Sequence, residues 1–396
     1  MLWQWVSKVV KRFRWSVVVP ASMALLSACV GASVRYTSQD LALLPCETGV
    51  APRFFQPIEF TESGDFAFKS EQLKNLTARL TPDLSDVVVF VHGWNKNPSL
   101  AERDYQDFLC RMHADIREVA RERGLWLEPA KGERLLVIGV FWPSTLEPNS
   151  RDGILLKVPS YFRMRARADR VAETGLQSVL EQVANSLSRR ANLYLVGHSF
   201  GGRMLVRSLR SLSDRGVLPG LLQRIGSVNV VLLNAAVPID QFEWILERIL
   251  RAKSGELPAR FSLTSGSGLY NIHSFNDSAN RYLFQLASIF TPDAAGCAAG
   301  ACGVPGFTTL CVEESGQLAG LDSPPRPQSP SVTDQLAAWN VDATSVVFDH
   351  TDIYKGRVSR LVVDLLFRIE RERLVGLGRR EPAETRERCP GSAGRP

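Results

Sequence analysis

The run Gly197-His198-Ser199-Phe200-Gly201, with Gly202 behind it, is a G-x-S-x-G pattern. Alone it carries little weight, because Gly and Ser are common residues. Its setting carries more. The apolar run Leu193–Val196 precedes it, and a helical stretch from Arg203 follows it. A strand, a sharp turn and a helix would hold the Ser199 hydroxyl out above a sheet as a nucleophile, with small residues two positions either side letting neighbouring chains approach. The Phe200 backbone N–H, at the start of the helix, would then face an oxyanion developing on a carbonyl under attack. A second donor is expected from the loop after an earlier strand. His92-Gly93-Trp94 directly follows the β-branched run Asp86–Val91, and the backbone N–H of Trp94 is the candidate. The competing structural reading of Ser199 is a capping residue in a Gly-rich turn.

On Val87–Asn95 and Tyr194–Gly202, the chain resembles the α/β-hydrolase superfamily, in particular its bacterial lipase- and esterase-like members with H-G-x after the third strand. The resemblance extends over Asp86–Leu374. It implies a serine hydrolase whose nucleophile, acid and histidine follow one another in that order along the chain. That order sorts the five histidines. His92, His113 and His198 precede Ser199. His92 is expected to support its own loop, His198 fills the variable position of the elbow, and His113 sits on a helix surface or boundary. His273 falls inside the apolar run Leu269–Phe275 and is expected to be packed there. His350 follows Ser345–Phe348 and precedes the last helix, where the superfamily places its base. An imidazole there could take the serine proton and return it near neutral pH. For the acid, Asp277 comes just after Leu269–Phe275, and Asp240, behind Val237-Pro238-Ile239, is the runner-up. Asp349 and Asp352 read as solvated loop carboxylates.

The resemblance therefore implies ester hydrolysis by Ser199, Asp277 and His350, with Trp94 and Phe200 at the oxyanion and with no metal or organic cofactor. The implied substrate is an acyl-ester small molecule or lipid. A thioesterase or peptidase would use the same set. A non-catalytic envelope lipoprotein could keep the fold for binding or scaffolding.

The elements that must position these residues alternate. Asp86–Val91, Leu135–Phe141, Leu193–Val196, Val228–Ala235 and Leu269–Phe275 read as strands. Leu100–Arg123, Ala166–Ser188, Arg203–Ser213, Phe242–Leu250 and Arg357–Leu374 read as helices. Continuous β-branched runs mark strands buried on both faces, so the expected class is α/β, a doubly wound, mostly parallel sheet with helices on both sides. Ile58–Phe68, with Ser63-Gly64-Asp65 inside it, suggests a hairpin. Phe307–Val312 offers one more strand within a Gly/Ala/Pro/Cys-rich insertion or flap at 296–331. Trp94, Trp142, Tyr161 and Phe162 read as core, with an acyl pocket as the alternative. Arg163, Arg165, Arg167 and Arg170 read as a solvated helix face, with lipid headgroups as the alternative.

The net charge of +6 over 396 residues is unevenly placed. Lys8, Lys11, Arg12 and Arg14 lie in the first 28 residues with no acid among them, which leaves only +2 for the rest. That near-neutral body excludes the concentrated basic surface that nucleic acid requires. The four cations followed by the apolar Trp15–Leu26 form a signal-like segment, too short to span a bilayer comfortably. Leu26-Ser27-Ala28-Cys29 then resembles the lipobox of bacterial lipoproteins, which implies cleavage before Cys29 and its lipidation. Membrane attachment through Cys29 follows, and Val30 in place of Asp points to the outer membrane, facing the periplasm. Six cysteines remain, Cys46, Cys110, Cys297, Cys302, Cys311 and Cys389, and an oxidising compartment would permit disulfides whose pairing the sequence leaves open. The expected organisation is a signal peptide over 1–28, a tether over 29–57, a hydrolase domain over 58–374 and a disordered tail over 375–396. The oligomeric state is not encoded legibly.

Overall fold

The computed structural model describes residues 55–122, 135–146, 157–187, 191–222, 224–241, 244, 267–280, 284, 308–312, 336–352 and 358–362. Cys29 and the expected signal segment, most of 296–331 and the tail expected over 375–396 lie outside these residues. Along the chain run β1 (Phe55–Glu59), α1 (Lys69–Arg79), β2 (Asp86–Val91), α2 (Pro98–Glu122), β3 (Leu135–Phe141), α3 (Lys157–Glu173), α4 (Gly175–Ser186), β4 (Asn192–His198), α5 (Phe200–Asp214), α6 (Leu218–Leu222), β5 (Ser227–Leu233), β6 (Ser267–His273), β7 (Thr308–Cys311) and β8 (Leu336–Asp342). The strands form one eight-stranded sheet in the order β1-β3-β2-β4-β5-β6-β8-β7. Every pairing in it is parallel.

Side chains alternate across each strand, so a strand buried on both faces must be apolar at every position. In β2, Val87, Val89 and Val91 face one cluster together with residues of α3, α4, α5 and α6. Val88 and Phe90 face the other, with Tyr105, Phe108, Leu109 and Met112 of α2 and with Val358, Leu361 and Val362. Each such side chain, fully buried, contributes about 1.5–3 kcal/mol. The expected doubly wound α/β architecture is the observed one.

The winding also fixes where a site can form. From β2 the chain passes through α2 to β3, toward one edge; from β4 it passes through α5 to β5, toward the other. Right-handed crossovers in opposite directions put the two helices on opposite faces. The loops leaving the neighbours β2 and β4 therefore part, and a crevice opens at their carboxyl ends. Val91 and Gly197 are register partners there.

Three local expectations are corrected. The turn at Ser63-Gly64-Asp65 exists, with Thr61 N–H donating to Asp65 O at 2.8 Å, but only an isolated antiparallel bridge, Phe60 to Phe66, closes it. Its first arm, β1, pairs in parallel with β3 instead, so there is no hairpin. The helix expected over Ala166–Ser188 is two helices that part at Thr174, where Gly175 N–H and the Thr174 hydroxyl both donate to Gly64 O at 3.1 and 3.0 Å. The basic run on α3 is a solvated face only in part: Arg170 is exposed and Arg163 and Arg165 are half-buried, but Arg167 turns inward. Arg167 is 1% exposed. It donates to the Pro143 and Thr145 carbonyls at 2.6 and 3.1 Å and pairs with Glu62 at 2.6 Å. Charge pairs also lock α5 to the helices beside it: Arg203 to Asp169, Arg207 to Glu173 and Arg215 to Glu181.

Candidate active site

Ser199 links β4 to α5 with φ 53° and ψ −118°, a left-handed conformation that an L-residue adopts only under constraint. The constraint is visible. Ser199 N–H donates to Leu233 O at 3.0 Å, extending the β4–β5 pairing by one residue. The Ser199 carbonyl accepts from Ala236 N–H at 3.1 Å and Arg203 N–H at 3.3 Å. A Cβ at Gly201 would lie 2.0 Å from the Val91 carbonyl oxygen, so the first turn of α5 rests directly on the end of β2 and tolerates only glycine.

Two loops bring their side chains to that hydroxyl. After β6, the chain turns at 274–277, where Asp277 N–H donates to Ser274 O at 3.1 Å. The Asp277 carboxylate is fully buried. Its Oδ1 accepts from Asn280 N–H at 2.9 Å and its Oδ2 from Asn280 Nδ2 at 3.0 Å. After β8, the loop through 344–352 carries His350. The two loops are bound to each other, with Ser274 Oγ donating to Val347 O at 2.7 Å and Phe275 N–H to Thr344 Oγ1 at 3.1 Å. His350 Nδ1 lies 2.8 Å from Asp277 Oδ2, and its Nε2 lies 2.8 Å from Ser199 Oγ. An acceptor carboxylate at Nδ1 requires the proton on Nδ1, which leaves Nε2 to accept from the serine hydroxyl.

The third loop follows β2. A Cβ at Gly93 would lie 2.9 Å from Ser199 Cβ and 2.7 Å from His198 Nδ1. The turn containing Trp94 is thus packed against the elbow. Asn95, at φ 63°, completes it, and Asn95 N–H and Lys96 N–H donate to Ser144 O and Oγ at 2.8 and 3.0 Å. Arg167 grips the carbonyls on either side of Ser144, so a buried cation braces this loop from below. Neither Trp94 nor Phe200 has its backbone N–H engaged by another group among the described residues.

The remaining candidates separate. His92 is buried. Its Nδ1–H donates to Gly93 O at 2.8 Å, its ring stacks on Trp142 at 5.8 Å, and burial, reinforced by nearby Lys96, lowers its pKa to about 4. His198 is also buried, and that burial, with His350 and Lys96 close by, keeps it neutral well below its ordinary value. His113 lies in α2. His273 is packed in β6 opposite Asp342 of β8 and takes no part in the serine relay. Burial lowers its pKa, against the pull of Asp342. Asp240 is exposed and away from these bonds. Asp349 is exposed as expected, but Asp352 is not solvated: it is 5% exposed and accepts from Phe348 N–H at 3.0 Å, closing the histidine loop.

Trp142, Tyr161 and Phe200 are core, and Trp94 packs on their edge with its Nε1–H donated to Ser160 Oγ at 2.9 Å. Asn280 went unread in the sequence. Its signal was Asp277-x-x-Asn280, the spacing by which an aspartate caps a helical turn. Asn280 Nδ2 also donates to Asn234 O at 2.6 Å, fastening the acid loop to the end of β5. Among the described residues, no group of His, Cys, Asp and Glu could hold a metal, and no helix is long and apolar enough to cross a membrane.

No curated protein and no solved structure matches the chain. One family does, described as alpha/beta hydrolase of unknown function (DUF900), and the match covers residues 68–265, half of the chain. Those residues run from α1 through the Gly93 loop, the elbow and β5, the portion that builds the crevice at the carboxyl ends of β2 and β4. With that match joined to a parallel, doubly wound sheet, the chain belongs to this family of alpha/beta hydrolases.

Proposed function

We propose that the chain is a serine hydrolase of carboxylic esters, held in the cell envelope by a lipid on Cys29. The observation that carries the reading is the unbroken relay from Ser199 Oγ through the His350 ring to the buried Asp277, both links at 2.8 Å. Ser199 Oγ attacks the acyl carbon while His350 Nε2 takes its proton. Asp277 holds the ring in the Nδ1–H form and stabilises the imidazolium. The Phe200 and Trp94 N–H groups face the oxyanion. Collapse of the tetrahedral adduct expels the alcohol, which receives the proton from His350, and water then repeats the sequence on the acyl-serine. The substrate is an acyl-ester small molecule or lipid. The lipobox at Leu26–Cys29 supports the anchor and the outer-membrane location, and the disulfide at Cys110 supports an oxidising compartment.

Fluorophosphonate labelling of the full chain tests the chemistry. Wild type is expected to label and Ser199→Ala is not. A folded wild type that never labels would refute the reading. Turnover of matched ester, thioester and amide substrates is expected to favour the ester, and metabolic labelling with a fatty acid is expected to require Cys29.

A further inference from the structure

His198 meets the elbow, the His350 loop and the Gly93 turn, yet the reaction above gives it no role. It is covalently next to Ser199. Its Nε2 lies 2.9 Å from the main-chain carbonyl of His350, and the two rings are 4.9 Å apart. On its other side, a Cβ at Gly93 would meet its Nδ1 at 2.7 Å and its Cε1 at 3.1 Å, so the ring fills the space that Gly93 leaves. A carbonyl only accepts, so the proton of this neutral ring is on Nε2. The residue is 1% exposed, so bulk water does not compete for that bond.

We propose that His198 is a positioning residue: its Nε2–H holds the backbone of His350 while its ring sets the stand-off of the Gly93 turn, so that base and second oxyanion donor are both referenced to the residue beside the nucleophile. This deepens the hydrolase reading and rests on it. The reason is geometric. Ser274 and Phe275 fasten the loop at Val347 and Thr344, but on His350 itself Ser199 and Asp277 hold only the ring. His350 N–H bonds to its neighbour Asp349, and Phe348 N–H to Asp352, both inside the loop. The His198 bond ties the loop backbone across to β4, and two anchors on one residue fix an orientation that one leaves free. Misplacement of a reacting group by 1 Å can cost about 100-fold in rate.

The test compares His198→Gln, whose amide N–H can reach the same carbonyl, with His198→Phe, which keeps a flat ring but donates nothing. His198→Asn, too short to reach, serves if the Phe variant fails to fold. Rates of fluorophosphonate labelling and of ester turnover are read on the full chain. The Gln variant is expected within about 5-fold of wild type and the Phe or Asn variant about 100-fold slower, in kcat rather than KM. Ring-nitrogen NMR of the histidine-labelled chain is expected to find His198 neutral and protonated at Nε2. If wild type labels and Phe matches it, or if Gln and Phe lose equally, the positioning role is overturned and the hydrolase reading survives. A His198 proton on Nδ1 would overturn it too. A wild type that never labels overturns both.

Discussion

Replacing Asp277 by Asn changes one atom and leaves no good arrangement of the protons around it. The carboxylate accepts three hydrogen bonds: Asn280 N–H on Oδ1, and Asn280 Nδ2 and His350 Nδ1 on Oδ2. An amide offers one acceptor and one donor. If its oxygen takes the Oδ1 place, its NH2 faces the histidine, which must then accept at Nδ1 and carry its proton on Nε2. That proton points at Ser199 Oγ, 2.8 Å away, and the ring can no longer act as base. If the oxygen takes the Oδ2 place, the tautomer is right, but the NH2 opposes the buried Asn280 N–H, at a cost of about 1–3 kcal/mol. The first arrangement also sets the NH2 against Asn280 Nδ2–H, and in the second the neutral amide no longer stabilises the imidazolium, so neither restores the base. The expected result is a loss of about four orders of magnitude in kcat, equivalent to about 5.5 kcal/mol of transition-state stabilisation. Initial rates on a chromogenic ester, with circular dichroism to verify the fold, measure it. A folded Asp277→Asn protein within tenfold of wild type would show that the carboxylate does not control the His350 tautomer.

Three other outcomes follow from the same contacts. His92 titrates near 6.5 when unfolded and at about 4 when folded, so the unfolded chain binds more protons between those values and stability falls as pH falls through that window. Taking the protein from pH 7 to pH 5 should lower its unfolding free energy by about 2 kcal/mol from this ring alone, with His198 adding to the loss, as read by urea titration; equal stability at both pH values would contradict the buried, neutral assignment. Arg203→Ala, which strips Asp169 of a two-pronged partner at 2.8 and 2.9 Å, is expected to cost about 3 kcal/mol, and Arg203→Ala with Asp169→Ala together less than the sum of the two; strict additivity in thermal or urea unfolding would argue against the pair. Gly93→Ala puts a methyl into His198 and Ser199, so a fall in kcat of about 100-fold at little cost in KM is expected; unchanged turnover would mean that the Trp94 N–H is not a donor to the oxyanion.

What could be read from sequence was chemistry whose partners lie within a few residues. The elbow is such a case: strand, strained serine, glycines and helix all fall inside Asn192–Asp214, and each constrains its neighbour. The central strands are another, because burial on both faces demands an unbroken apolar run and β2 and β3 have one. By contrast, β8 is LAAWNVD, whose Asn340 and Asp342 are buried yet polar, and whose strand character comes from pairing with β6 and β7. No local pattern announced it, and α1 passed unread as well. The Gly64 turn was legible, but not that its carbonyl would break a helix 110 residues later. Arg167 read as solvated because the groups that bury it, Glu62, Pro143 and Thr145, arrive on other segments. His198 shows the limit most sharply. The motif leaves its position open, so nothing nearby specifies a histidine there. The carbonyl that its ring meets is 152 residues away, on a loop that reaches β4 only because β5, β6 and β8 have assembled beside it. A side chain whose reason for being lies at that distance becomes legible only when the sheet order is known.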